Sequence, residues 1–196
     1  MNTSYLNAFL ISIVTFFLLS NAQAQMAKVT HMEGEVWLNR GPAKIGDLIY
    51  PGTHVKVAGA KSWVDMKYIN GHVVRATEGA FTVTEIGPKK SFIELLSGKI
   101  FSLVSPLKKK ETFVVKTKRA VFGVRGTKFM IEENAEKTYL CVCEGVVEAD
   151  NGKEKVKVKK DDDLFIEDGK KLTVNKASAM MNQMLTDMVK NIETVK

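Results

Sequence analysis

The stretch KRAVFGVRGTKFMIEE, residues 118–133, decides how the rest of the chain is read. Two strand-like runs, 120–122 and 128–131, flank Gly123, Val124, Arg125, Gly126 and Thr127. Two glycines three apart, with an arginine before the second, fit a phosphate cradle, a sharp corner in a β protein, or a family signature. A phosphate cradle needs a glycine-rich turn that opens a helix, so that free N–H groups and the helix dipole face the anion. Here the turn leads into TKFMIEE, a strand candidate. The cradle fails on context. The glycines read instead as positions where the backbone needs positive φ or passes close to another strand. Arg125 is expected half-buried at this corner, its donors tying down carbonyls. Contact of Arg125 with a ligand is the sharper alternative.

Outward from this stretch, residues 29–174 read as strands. Runs of roughly four to eight β-branched, aromatic or alternating residues are bounded by Gly, Pro, Asn and Asp. KVTHMEG, EVWLNRG, THVKVAG, SWVDMKYING, SFIELLSG, KIFSLVSP and TYLCVCEG are each read as a strand that stops at its turn residues. YING and ADNG carry Asn–Gly, the strongest short hairpin signal, because both turn residues take φ > 0. GEV at 34–36 is similar to GVV at 145–147 and GHV at 71–73, but at uneven spacing, so no fixed solenoid period is present. The expected fold class is all-β: a twisted, solenoid-like or sandwich stack of short strands over residues 25–174, with a C-terminal amphipathic helix over 175–196.

The two ends and the charge bound the function. Residues 1–24 contain no Asp, Glu, Lys or Arg, and an apolar run ends in SNAQAQ. Ala22-Gln23-Ala24 is a small-x-small cleavage pattern, so residues 1–24 read as a signal peptide cut between Ala24 and Gln25. The apolar run is short for a membrane span of ~20 residues; an uncleaved anchor is the alternative. The protein is therefore expected in the periplasm or secreted. With 29 Lys and Arg against 22 Asp and Glu, the net charge is +7, which suits an anionic neighbour.

Lys108, Lys109 and Lys110 read as a loop tip, and Lys155, Lys157 and Lys159 alternate with Val156 and Val158. On a strand these last three lysines share one face. The plain reading is an edge strand kept unpaired by lysines. The functional one is a strip for an anionic envelope polymer, cell-wall glycan or lipid headgroups. Aromatic platforms are lacking beside them, so nucleic acid is not expected. At the C-terminus, Met181, Met184, Leu185, Met188 and Ile192 recur at helical spacing. That face either packs on the β domain or binds a partner, a second copy of the chain included.

Enzyme templates fail. There is no G-x-S-x-G elbow, no H-E-x-x-H and no P-loop. His31, His54 and His72 show no ligand spacing, and Asp161 to Asp163 read as a solvated turn. No catalytic residue, metal site or cofactor is expected. Cys141 and Cys143 would share a strand face with Cα atoms roughly 6.5 Å apart, near the upper limit for a disulfide. A reduced or buried pair is expected rather than a bridge.

FVVKTKRAVFGVRGTKFMIE resembles the signature of the FecR-type domain: a strand ending in Thr, an Ala–Val pair, then a V-R-G-T-x-F turn carrying Gly123, Arg125, Gly126 and Thr127. GEVWLNRG is similar to the family's opening strand. IGDLIYPGTHVKVAGAKSWVDMKYINGHVVRATEGAFTV is similar to its G-D-x-I-x-x-G segment and the strand after it, with Asn70–Gly71 in place of Asp–Gly. LLSGKIFSLV and CVCEGVVEA match later strands. The resemblance implies an extracytoplasmic, all-β bacterial module that works by binding an envelope protein. Signalling members of the family relay the occupancy of an outer-membrane iron transporter to a cytoplasmic sigma factor. The sequence shows no anti-sigma segment of that kind, so the fold and the binding role are carried over as expectations and the relay is not.

Overall fold

The computed structural model of the protein describes residues 27–87, 89–107 and 111–194. The signal-peptide reading of 1–24 and the Lys108, Lys109 and Lys110 tip lie outside these described residues. The chain forms a mostly antiparallel, open sheet with one C-terminal helix. Its backbone is four long strands paired in sequence: β1 (Ala27–Leu38), β4 (Thr53–Tyr68), β5 (Val73–Ile86) and β6 (Lys90–Leu103). Two short strands, β2 (Gly41–Pro42) and β3 (Leu48–Ile49), close the β1 side.

The sheet forks at β6. Its first residues, from Lys90 to Glu94, pair in parallel with β7 (Thr112–Lys116). Its last residues, from Gly98 to Leu103, pair antiparallel with β9 (Lys128–Glu133). The first branch continues through β8 (Val121–Val124), β11 (Val146–Asp150) and β12 (Lys155–Lys159). The second continues through β10 (Lys137–Glu144), β13 (Asp162–Glu167) and β14 (Thr173–Lys176). β12 and β14 each pair with a single strand, so both branches end in an open edge.

The long strands all cross from one branch to the other, and each does so at a glycine with positive φ: Gly34, Gly59, Gly79 and Gly98. The sequence had each glycine ending a strand. In the structure the strands bend there and carry on, because a bulge shifts the register locally and leaves the ladder intact on both sides. The closest approach is between β5 and β6. A Cβ on Gly79 would lie 2.2 Å from the Ser97 carbonyl oxygen, and one on Gly98 only 1.7 Å from that of Glu78. Only two bare backbones pass at that distance.

The crease folds the two branches over one core. Val55, Phe81, Ile93, Phe113 and Phe122 from one side meet Val64, Met66, Phe129, Ile131 and Leu164 from the other in a single buried cluster. The two hairpins flagged by Asn–Gly form, joining β4 to β5 and β11 to β12, but only Gly71 and Gly152 take positive φ there and not Asn70 or Asn151.

Helix α1 (Ala179–Thr194) lies on the outer face of the second branch. Ser178 caps it, its Oγ accepting the Met181 N–H at 3.2 Å. Leu185, Val189 and Ile192 are buried against Val73, Phe101, Met130, Tyr139 and Cys141. Met181 and Met188 are partly buried there, while Met184 stays 37% exposed. Of the two readings of this face, packing on the β domain accounts for Leu185 and Ile192, while Met184 remains at the surface. An ion pair locks the helix. Arg75 of β5 donates to both carboxylate oxygens of Asp65 at 2.6 and 2.7 Å, stacks 4.1 Å from the Trp63 ring centre, and donates to Asn191 Oδ1 on the helix at 2.5 Å. Strand β14 runs to Lys176, two residues past the expected boundary at 174, because Asn175 and Lys176 still pair with Asp163 and Asp162. No helix among the described residues is long and apolar enough to cross a membrane.

Urea unfolding of point variants should reproduce this ranking of contacts. Gly98→Ala should cost about 3 kcal/mol or more, from a backbone clash plus a strained φ. Gly152→Ala, where a Cβ meets nothing within 4 Å, should cost only about 1 kcal/mol. Arg75→Ala should cost about 3–5 kcal/mol because it leaves the buried Asp65 carboxylate with only His31, 3.9 Å away, beside it; the double change Asp65→Leu with Arg75→Met should cost less than Arg75→Ala alone.

Candidate functional site

The signature turn joins β8 to β9 across the crease. Val124 and Thr127 point inward and are buried, which leaves Arg125 exposed rather than half-buried. The arginine that ties down carbonyls is Arg119. It donates to Asn134 O at 3.1 Å and Ala135 O at 2.7 Å and forms a buried ion pair with Glu133, whose other oxygen accepts the Thr138 hydroxyl. Sequence reading missed this pair because the two residues meet only through the β9–β10 hairpin. The basic residue just before Ala-Val was the available signal.

Close packing explains Gly126 but not Gly123, which has no positive φ and where a Cβ would meet nothing within 4 Å, because its strand face is open. A Cβ on Gly126 would sit 3.3 Å from Pro106 Cα, and one on Gly145 would sit 2.5 Å from Thr127 Cγ2. The Val104 N–H donates to Thr127 O at 2.9 Å. Of the readings left open, this geometry is that of a packed corner. Beside it, the Ser105 N–H donates to His72 Nδ1 at 3.2 Å, and burial pushes His72 down to about 4.

The lysine strip sits where the sequence put it, on one exposed face of the edge strand β12. It is partly neutralised. Lys155 lies 3.0 Å from Asp150, which raises the Lys155 pKa through a hydrogen bond, and Lys157 stands opposite Glu148 in register.

A groove of about 510 Å³ lies elsewhere, between the start of α1 and the outer face of β9, β10, β13 and β14. Tyr139 and Phe165 are cross-strand neighbours with ring centres 4.5 Å apart. Tyr139 is 5% exposed, and burial raises its pKa, so it keeps its proton and donates it to Asp163 Oδ2 at 3.1 Å. Asp163 is 7% exposed, and its Oδ1 is buried with no partner among the described residues. Lys137 places its ammonium 4.7 Å from the centre of the Phe165 ring. Lys176 pairs with Asp162 on the rim. Ser178 and Met181 close the helix side.

Cys141 and Cys143 are both free thiols. Cys141 is buried under α1, and burial pushes its thiol up to about 11. Among the described residues no group of three His, Cys, Asp or Glu is placed to hold a metal ion.

The family model of the FecR protein matches residues 58–148, from the bend of β4 to β11. Those residues are similar to the FecR family, consistent with a FecR-type domain there. The matched segment contains the signature corner, the fork at β6 and all the close glycine contacts of the crease except that of Gly34. Among solved structures, a candidate anti-sigma factor from Parabacteroides distasonis ATCC 8503, solved at 1.65 Å, is similar to this chain in fold, with a TM-score of 0.58 at 19% identity. The alignment covers 65% of this chain and 61% of that one, so this chain spans about three fifths of its length. A second structure of the same description, at 2.50 Å, aligns with a TM-score of 0.45 and 20% identity over 67% of this chain and 59% of that one. No curated protein sequence matches.

The buried His72 gives a pH signature. Its folded pKa lies below the ordinary value of about 6.5, so the unfolded chain binds the proton first. Its stabilising contribution is complete above pH ~6.5 and declines as the pH falls toward about 4. His72→Gln should flatten that part of a stability-against-pH curve measured by urea unfolding.

Proposed function

We propose that this FecR-type chain is an extracytoplasmic interaction domain that binds an envelope protein in a signalling setting and catalyses no reaction. The family match supports the regulatory setting. The description of the structural neighbour as a candidate anti-sigma factor points the same way. The charge-free residues 1–24 support export.

The observation that carries the contact role is an uncovered face. The second branch has α1 over its outer side, but among the described residues the first branch has nothing over its own. Trp37, Leu96, Val121 and Val146 point away from the core there, each about two-fifths to one-half exposed. Large side chains on one bare sheet face are what a docking partner buries. The lysines of β12 border the same face and would steer an acidic partner onto it.

A second reading rests on those lysines: Lys155, Lys157 and Lys159 hold an anionic envelope polymer. Their pairing with Asp150 and opposition to Glu148 weaken that reading.

Affinity capture from envelope extract, at low and high salt, separates the two. Under the leading reading a protein is retained at high salt and is lost with Val121→Lys plus Val146→Lys, both exposed positions that leave the core untouched. Recovery of glycan or lipid only at low salt, abolished by Lys157→Glu, would replace that reading by the second, since exposed charges are screened within ~10 Å at 0.1 M salt.

A further inference from the structure

We propose that the groove at the start of α1 is a binding site for one acidic sugar unit, a hexuronate or similarly carboxylated hexose. It lies on the second branch, away from the bare face of the first, and stands whether or not that face binds a protein.

Three features of the groove each lack something, and one molecule supplies all three. Asp163 Oδ1 is a buried acceptor with no donor among the described residues, while Oδ2 is satisfied by Tyr139. A buried carboxylate oxygen left unpaired is costly, and a sugar hydroxyl is the donor it lacks. Lys137 has an aromatic ring beneath it but no carboxylate partner among the described residues. A ligand carboxylate supplies one. Phe165 is 41% exposed with its ring steadied against Tyr139. With Lys137 over the ring and Tyr139 against it, the exposed part of Phe165 is its edge, which the C–H face of a pyranose can meet.

The spacing fits one ring. Asp163 and Phe165 are two apart on β13, so they point to the same side about 7 Å apart. The Lys137 ammonium stands over the Phe165 end. An acceptor seeking a hydroxyl and a cation seeking an anion therefore mark opposite ends of an aromatic platform. The volume of about 510 Å³ lies in the range of small-molecule sites.

Other ligand classes fit worse. A free amine would meet the ammonium groups of Lys137 and Lys176. A polyphosphate would lie against Asp163 and against Glu132, which also lines the groove. A purely apolar ligand would leave Asp163 Oδ1 unpaired.

Calorimetric titration of the purified protein with a hexuronate tetramer, against a neutral hexose tetramer, tests the proposal. The hexuronate is expected to bind with a Kd below about 1 mM, and the neutral tetramer about tenfold more weakly for want of the Lys137 contact. Phe165→Ala and Lys137→Glu should each lower hexuronate affinity about tenfold or more while a cooperative thermal transition is retained, Phe165→Ala lowering its midpoint slightly through loss of the Tyr139 contact. Asp163→Asn should also weaken it, by offering a donor where the hydroxyl needs an acceptor. Lys157→Glu on the distant strip should leave it unchanged. The proposal is overturned by no binding at millimolar concentration, by equal binding of the neutral tetramer, or by binding that survives Phe165→Ala and vanishes with Lys157→Glu. A carboxyl-terminal peptide that binds in place of the hexuronate would also overturn it.

Discussion

Two bare backbones passing at contact distance hold this fold in its shape. Where β5 meets β6, the α-carbons of Gly79 and Gly98 approach so closely that either one's missing Cβ would penetrate the other strand. That contact bends both strands and sets the line along which the sheet folds. With the crease in place, residues that are far apart on the strands, such as Phe81 and Phe129, share one core. Without it, a flat sheet of these strands would leave both faces wet.

Two buried ion pairs then decide details that apolar packing leaves open. Arg119 with Glu133 anchors the segment before the signature corner to the β9–β10 turn. Arg75 with Asp65 anchors α1 through Asn191. Such pairs contribute little net stability, because desolvation offsets their attraction. Their effect is positional: removal of one partner is severe, and so each pair admits only one arrangement of the elements it joins. The helix could slide on its apolar stripe of Leu185, Val189 and Ile192, but not while Asn191 holds Arg75.

The two outer faces left by this construction differ in kind. One is broad, bare and dotted with large apolar side chains between charges. The other is covered by α1 except at the helix start, where a polar groove remains with an aromatic pair in it. The bare face and the groove thus lie on different branches, with the shared core between them.

Much of this was readable from the sequence. Alternation in runs such as THVKVAG and the Asn–Gly turns pointed to strands and hairpins, because burial on one face of a strand writes itself at period two. The stripe from Met181 to Ile192 marked the helix for the same reason at period 3.6. Gly126 was read correctly as a close approach and Gly123 was not one, while Gly34, Gly59 and Gly98 at the crease were read as strand ends. Whether a glycine stops a strand or bends it depends on the partner strand continuing past it, and no local window contains the partner. The same limit hid Arg119, which finds Glu133 only across a hairpin, and promoted Arg125, which is adjacent to the turn but faces out of it. It also hid the groove, whose Lys137, Tyr139, Asp163 and Phe165 come together only through the β10–β13 register. The sequence by itself determined which segments are strands, which is helix and where the backbone must be bare. Only the tertiary structure decided which faces are covered and which polar groups meet, since both are settled by pairings between residues far apart in the chain.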